Sequence, residues 1–210
     1  LGQLSTYAKA AFPGLAALVL LWGGIHWWTL GYRSFTSYSY VVESAAPMPK
    51  APPSILLTDQ LGATWLLPSL RGKYYLMTFG YLSCGGTCPI TMGEFYQISE
   101  QLKAQGRTDL ALLTITLAPK WDPADSLHRV WQHYGAPEDW ILATPGEGVD
   151  REAYWEQLRH MGMWVDQDRQ GYPVHDNRTF LINPQGVLLR SFVGTPSLDV
   201  LDQVLLAETP

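Results

Sequence analysis

Gly80-Tyr81-Leu82-Ser83-Cys84-Gly85-Gly86-Thr87-Cys88-Pro89 (GYLSCGGTCP) holds both cysteines of the chain. The apolar, aromatic-rich run Tyr74–Tyr81 (YYLMTFGY) leads into it and reads as a short buried strand. Proline is tolerated in the first turn of a helix, so Pro89 marks a helix start. The thiols are therefore expected at a strand-to-helix junction, with Cys88 at the cap and Cys84 about one turn earlier in the loop. A helix N-terminus presents unpaired N–H groups and a partial positive charge, which favours thiolate. Thiolate is both the nucleophile of disulfide exchange and a soft ligand for Cu(I) or Zn. Gly85 and Gly86 let the loop turn tightly enough for both sulfurs to face one point. A structural disulfide is the third possibility, but so short a loop gains least from closure.

Outward from the motif, helix and strand signals alternate. A helix from Pro89 to about Gln105 places Met92, Phe95, Tyr96, Ser99 and Leu102 on one face, and Leu110–Leu117 (LALLTITL) reads as a buried strand. Leu127, Val130, Trp131 and Tyr134 follow the spacing of an amphipathic helix. A short strand at Trp140–Ala143 and a helix from Asp150 to about Met161 come next. Arg178–Ile182 and Val187–Val193 flank an Asn-Pro-Gln-Gly turn as a hairpin, and a last helix carries Leu198, Leu201, Val204 and Leu205. Cys88-Pro89, Asp122-Pro123 and Thr195-Pro196 each read as a cap followed by proline at the first helical position. The alternation implies an α/β sheet with crossover helices and a late antiparallel hairpin. Two thiols at the first strand-to-helix junction point to a thioredoxin-like sheet flanked by helices.

The N-terminal part is of another kind. Ala10–Leu30 contains no Asp, Glu, Lys or Arg, and ~20 helical residues cross a hydrocarbon core of ~30 Å. Trp27, Trp28 and Tyr32 would then form an aromatic belt at the headgroups. HWWTLGY has no resemblance to a small-residue cleavage site, so the reading is one uncleaved transmembrane helix rather than a signal peptide. His26 lies near the end of this span, where a neutral imidazole reaches the interface. Ala45–Ser54 (AAPMPKAPPS) carries four prolines and reads as a semi-rigid spacer. The expected organisation is an anchor at 1–33, a Pro-rich linker at 34–53 and one domain at 54–210. A hydrophobic share of 47% supports a packed core for that domain, and a net charge of −5 without a basic face excludes nucleic acid as a partner.

Two thiols need further ligands to hold a metal. No second cysteine pair or nearby His pair completes a zinc site. His128 and His133 share a helix whose apolar face is already assigned, and read as solvated. His175, in the loop GYPVHDN before the Arg178 strand, is placed where it could return to the active edge of the sheet. Two thiolates and one imidazole suit copper in either oxidation state. Met92, Met161 and Met163 are possible soft auxiliary ligands, with core packing as the alternative. Asp122 before Pro123 reads as an N-cap worth ~1 kcal/mol.

A strand, then C-x₃-C-P opening a helix, then a distant His before a strand and an INPQG hairpin resembles the SCO/SenC family, over about residues 52–207. The resemblance implies a membrane-tethered, thioredoxin-like copper protein that helps assemble the binuclear copper centre of cytochrome c oxidase. It implies Cys84, Cys88 and His175 as the ligands of Cu(I) or Cu(II). LAPKWDPADSL (Leu117–Leu127) resembles the family's Asp-Pro-x-x-Asp-x-Pro segment, with Asp122 at its second acidic position as a residue supporting the ligands and Ala118 where the first is usual. The implied function is a metallochaperone rather than an enzyme, its domain in the periplasm or another extracytoplasmic or intermembrane space. Its partner would be the copper-binding subunit of a respiratory oxidase or another respiratory complex. The alternatives are a thiol–disulfide oxidoreductase using Cys84 and Cys88 catalytically on the oxidase's copper-site cysteines, and a structural subunit of a respiratory complex.

Overall fold

The computed structural model describes the backbone of residues 2–146 and 148–208 and the side chains of 13–146 and 148–207. The chain divides into two compact units, residues 1–45 and 46–210.

The first unit consists of helices α1 (Gly2–Trp28) and α2 (Ser37–Ser44). From Leu15 onward α1 leaves Leu18, Leu20, Leu21, Trp22, Trp27 and Trp28 exposed. Among the described residues no helix is long and apolar enough to cross a membrane; the side chains of residues 10–12 of the expected span lie outside those described. Thr29 ends α1, its hydroxyl donating to Ile25 O and accepting from Tyr32 N–H. The Tyr32 ring then folds edge-on against Trp22 and His26, at 5.7 and 5.3 Å, so the imidazole packs against an aromatic ring. A reciprocal Thr36–Ser39 capping box opens α2.

In the second unit β3 (Tyr74–Gly80), β4 (Leu110–Thr116) and β5 (Trp140–Pro145) run parallel at the centre of a seven-stranded sheet. On one side β1 (Leu56–Asp59) joins β5 antiparallel and β2 (Thr64–Leu66) joins β1. On the other, β8 (Arg178–Ile182) pairs antiparallel with β3, and β9 (Leu188–Val193) forms the edge. The order is β2-β1-β5-β4-β3-β8-β9. The helices α3 (Cys88–Ala104), α4 (Ala124–His133), α5 (Arg151–Met161) and α6 (Leu198–Glu208) cover both faces.

Alternate strand residues point to opposite faces. Met77, Phe79, Leu113 and Ile115 pack with Tyr154, Trp155 and Leu158 of α5. Leu76, Leu112 and Leu142 pack with Phe95 and Leu102 of α3, Leu127 of α4 and Leu201 of α6. A sheet covered on both faces has no solvated side, which is why β3 and β4 read as unbroken apolar runs. This is the thioredoxin-like arrangement, with the cysteine motif at the carboxyl edge of a central parallel strand, where α/β sheets place their ligands.

Three local expectations are corrected, and one hairpin is new. The hairpin β1–β2 escapes the sequence because strands of four and three residues carry too little periodicity. The Pro-rich segment is partly built into the second unit: Lys50 and Leu188 exchange backbone hydrogen bonds, and Pro52 is buried. Thr87, not Cys88, is the N-cap of α3, so Cys88 is the first helical residue. Leu198 opens α6, two residues after Pro196.

Candidate metal centre

β3 ends at Gly80, and eight residues later α3 begins with Cys88. Cys88 Sγ lies against the strand end, 3.4 Å from where a Cβ on Gly80 would stand. Cys88 is buried, Cys84 half-buried, and both are free thiols. Their protonation is divided between them. Burial works against the Cys84 thiolate, but its sulfur receives hydrogen bonds from the Cys88 thiol, the Cys88 and Gly86 N–H groups and the Tyr81 hydroxyl, and its pKa lies below the ordinary thiol value. Burial and the donation to Cys84 push Cys88 up to about 12. The first N–H of α3 thus serves the sulfur four residues upstream, and Cys84 is the more acidic thiol of the pair. Burial also raises the Tyr81 phenol to about 12, helped by the negative charge of the two sulfurs.

His175 arrives on a separate ribbon, β6 (Val165–Gln167) paired with β7 (Pro173–His175), which makes no ladder with the main sheet. Its Nε2 lies 3.6 Å from Cys88 Sγ. Its Nδ1 is 2.8 Å from Asp176 O. A carbonyl can only accept, so Nδ1 carries the proton and Nε2 holds the lone pair. Burial lowers the imidazole pKa and keeps it neutral, the form that ligates metals. The next residue is fixed as well: Asp176 N–H donates to Trp164 O, and its carboxylate accepts from Arg178 Nε at 3.1 Å in a largely buried ion pair.

Asp122 is 2% exposed and is not a helix cap; α4 is capped by Pro123 with no side-chain bond. Asp122 Oδ2 accepts from Leu82 N–H at 3.0 Å and from the Thr116 hydroxyl at 2.6 Å. It ties the loop after β4 to the cysteine loop two residues before Cys84. Burial holds this carboxyl above its ordinary pKa, against the lowering effect of both hydrogen bonds.

The other sequence candidates separate clearly. Met161 and Met163 are core residues, and Met92 lines a cavity. His128 bonds Gln60 O at 3.0 Å rather than facing water, and His133 is exposed beside Tyr134. The cavity, about 260 Å³, lies between α3, α4 and the sheet and reaches Cys88, with Thr78, Val130 and Tyr134 among its walls. Sequence reasoning passed over Tyr81, whose ring also stands edge-on to His175 with centroids 6.4 Å apart. Its position next to Gly80, at the strand's carboxyl end, was the available signal.

The donors are chemically suited to a soft metal: two thiols of unequal acidity and one imidazole with its free lone pair aimed at sulfur. They are not preassembled. Among the described residues no three His, Cys, Asp or Glu side chains are grouped closely enough to hold an ion as they stand. Cys88 is instead the shared neighbour of Cys84 and His175.

Comparison with known proteins adds an independent line. The family model described as SCO1/SenC matches residues 49–205. A protein of Stutzerimonas stutzeri named for copper binding is 27% identical over 161 residues, covering 76% of this chain and 77% of its own. The crystal structure of a SCO1/SenC family lipoprotein from Bacillus anthracis superposes with a TM-score of 0.66 at 22% identity, covering 77% of this chain and 98% of that one. Yeast Sco1 with copper bound gives 0.60 at 16% identity, covering 77% and 91%. At these identities the structural likenesses establish the shared fold.

Proposed function

The chain belongs to the SCO1/SenC family, and from that membership and the geometry of the site we propose that it carries copper on Cys84, Cys88 and His175 and supports assembly of the copper centre of a haem-copper respiratory oxidase. The observation that carries this is the approach of His175 Nε2 to Cys88 Sγ across 87 residues of sequence, with Nδ1 committed elsewhere. Copper is cargo here. The thiolates supply the grip on Cu(I), and the imidazole adds the harder donor that Cu(II) needs. Asp122 supports the cysteine loop from behind. The apolar side chains that α1 exposes support anchoring by residues 1–33, with the second unit, from residue 46 onward, as the copper-binding domain on the extracytoplasmic side. The receiving partner is the copper-binding subunit of the oxidase.

The test is an anaerobic Cu(I) titration against a competing chelator, followed by Cu(II), on wild type and His175→Ala. One equivalent of Cu(I) is expected on both proteins. Cu(II) affinity should fall by at least about 10–100-fold in the variant, the loss that removing only a ligand's supporting partner already causes. Equal Cu(II) affinity in the two proteins overturns the three-ligand reading.

The unequal thiols favour one second reading, a thiol–disulfide oxidoreductase. There the Cys84 thiolate attacks a partner disulfide and releases one partner thiolate. Cys88, deprotonated, then displaces the second and leaves a Cys84–Cys88 disulfide. Trapping of a mixed disulfide by Cys88→Ser, together with absent copper binding in wild type, would select it.

A further inference from the structure

Resting on the copper reading above, we infer that Trp121 and Tyr172 form an aromatic clasp that positions His175 beside the cysteine pair. The ribbon β6–β7 that carries His175 hydrogen-bonds only to itself as a ladder. Its inner end is held by the core: Val165, opposite His175 in register, is buried, and Asp176 N–H bonds Trp164 O. At the outer end Pro173, opposite Gln167, is buried, while Gln167 and Tyr172 beside it are exposed. The turn is closed internally by Asp168, whose Oδ1 accepts from Gln170 and Tyr172 N–H.

Tyr172 then reaches across to Trp121, with ring centroids 4.9 Å apart and planes at 44°. The two residues are 44% and 41% exposed, so neither fills the core. Trp121 is followed directly by Asp122, which holds Leu82 of the cysteine loop. One short loop after β4 therefore touches both halves of the donor set, the cysteine loop through Asp122 and the histidine ribbon through Trp121. Arg151 is the ribbon's other outer tie, donating to Gly171 O and Gln167 Oε1. Loss of the clasp loosens the ribbon without detaching it.

Trp121 and Tyr172 are positioning residues, acting on copper only through His175. Their signature is a split between oxidation states, because two thiolates suffice for Cu(I) and the imidazole matters for Cu(II). An aromatic pair of this geometry corresponds to about a 2- to 12-fold change in an equilibrium constant.

The experiment compares full-length wild type, Trp121→Ala, Trp121→Phe, Tyr172→Ala, the double alanine variant and His175→Ala. Dissociation constants for Cu(I) and Cu(II) are measured alongside amide exchange in the metal-free proteins. Each single alanine variant should weaken Cu(II) by about 2- to 12-fold and leave Cu(I) unchanged. The double variant should lose no more than either single, and Trp121→Phe should recover most of the loss. Exchange in the metal-free variants should quicken between residues 165 and 175. Two alanine variants with the wild-type Cu(II)-to-Cu(I) ratio, while His175→Ala shifts it, overturn the clasp and leave the copper reading standing. A ratio unmoved by His175→Ala overturns that reading and the clasp with it. Should Trp121→Ala fail to fold, Tyr172→Ala decides from the ribbon side.

Discussion

Replacing Asp122 separates its tertiary role from the helix-capping role that its sequence suggests. Both hydrogen bonds end on one oxygen, Oδ2, inside a site where the residue is 2% exposed. Asp122→Ala removes that oxygen and strands the buried Thr116 hydroxyl, at ~1–3 kcal/mol for a buried donor, with about 1 kcal/mol more for the lost bond from the part-buried Leu82 N–H. The total, ~2–4 kcal/mol, is a large part of an ordinary domain's ~5–15 kcal/mol of stability. Asp122→Asn can place its amide oxygen where Oδ2 stands, keep both bonds and remove a buried charge, so it should cost at most ~1 kcal/mol. The sign of the pH effect follows from burial. The folded carboxyl titrates above the ordinary 3.8, so the folded state holds its proton to higher pH than the unfolded chain does. The wild type's contribution from this group is fullest below 3.8 and declines as pH rises through the folded value. Asparagine does not titrate, so the stability difference should move in its favour as pH is raised from about 4 to 7. Urea unfolding of the reduced, metal-free protein, followed by tryptophan fluorescence at several pH values, measures all three proteins. Equal stability of the alanine and asparagine variants would refute the claim that Asp122 holds the cysteine loop.

Two further outcomes follow from the division of protons between the cysteines. Brief iodoacetamide treatment at pH 7.5 should alkylate Cys84 at least about tenfold faster than Cys88, since Cys84 is the half-exposed and more acidic thiol and Cys88 is buried with its pKa pushed up to about 12; peptide mass mapping reads the ratio, and preferential labelling of Cys88 contradicts the assignment. Copper must displace the Cys88 proton throughout the neutral range, so Cu(I) affinity should rise by at least about tenfold per pH unit between 6.5 and 8.5. A flat profile in chelator competition would remove Cys88 from the ligand set.

Much of this architecture was legible because the central strands are covered on both faces. Tyr74–Gly80 and Leu110–Thr116 announce themselves as apolar runs, and the proline after Cys88 marks where the chain turns into α3. What stayed hidden depends on contacts distant in sequence. Asp122-Pro123 has the local form of a cap, and only the approach of Leu82, 40 residues earlier, shows where the carboxylate goes. The identity of the more acidic thiol was hidden for a similar reason. A helix start favours thiolate in general, but which sulfur benefits depends on where the first N–H groups point, and here they point back at Cys84. The ribbon β6–β7 has only three residues per strand and no sheet partner beyond itself, so no periodicity reveals it. His175 could be singled out as a loop residue before β8, but its tautomer is set by the Asp176 carbonyl, a backbone group that any sequence would supply.

The separation of the donors bears on how a carrier could release its cargo. Cys84 sits on a short loop braced by Asp122 and Cys88 at the helix start that ends it, whereas His175 sits on a separate two-stranded ribbon whose turn is exposed. A site that must bring its third donor into place binds with an apparent affinity reduced by the fraction of time that donor is in place. For Cu(I) this reduction is small, because the two sulfurs already meet; for Cu(II) it applies in full. On the proposed ligand set, Cu(I) would be held by the two cysteines and Cu(II) by all three donors. An acceptor that competes for the metal has only to displace the imidazole before it meets the thiolates, and the ribbon can yield without disturbing either thiol or the sheet beneath them. On the proposed reading, the incomplete preassembly of Cys84, Cys88 and His175 is what distinguishes a site built for transfer from one built for retention.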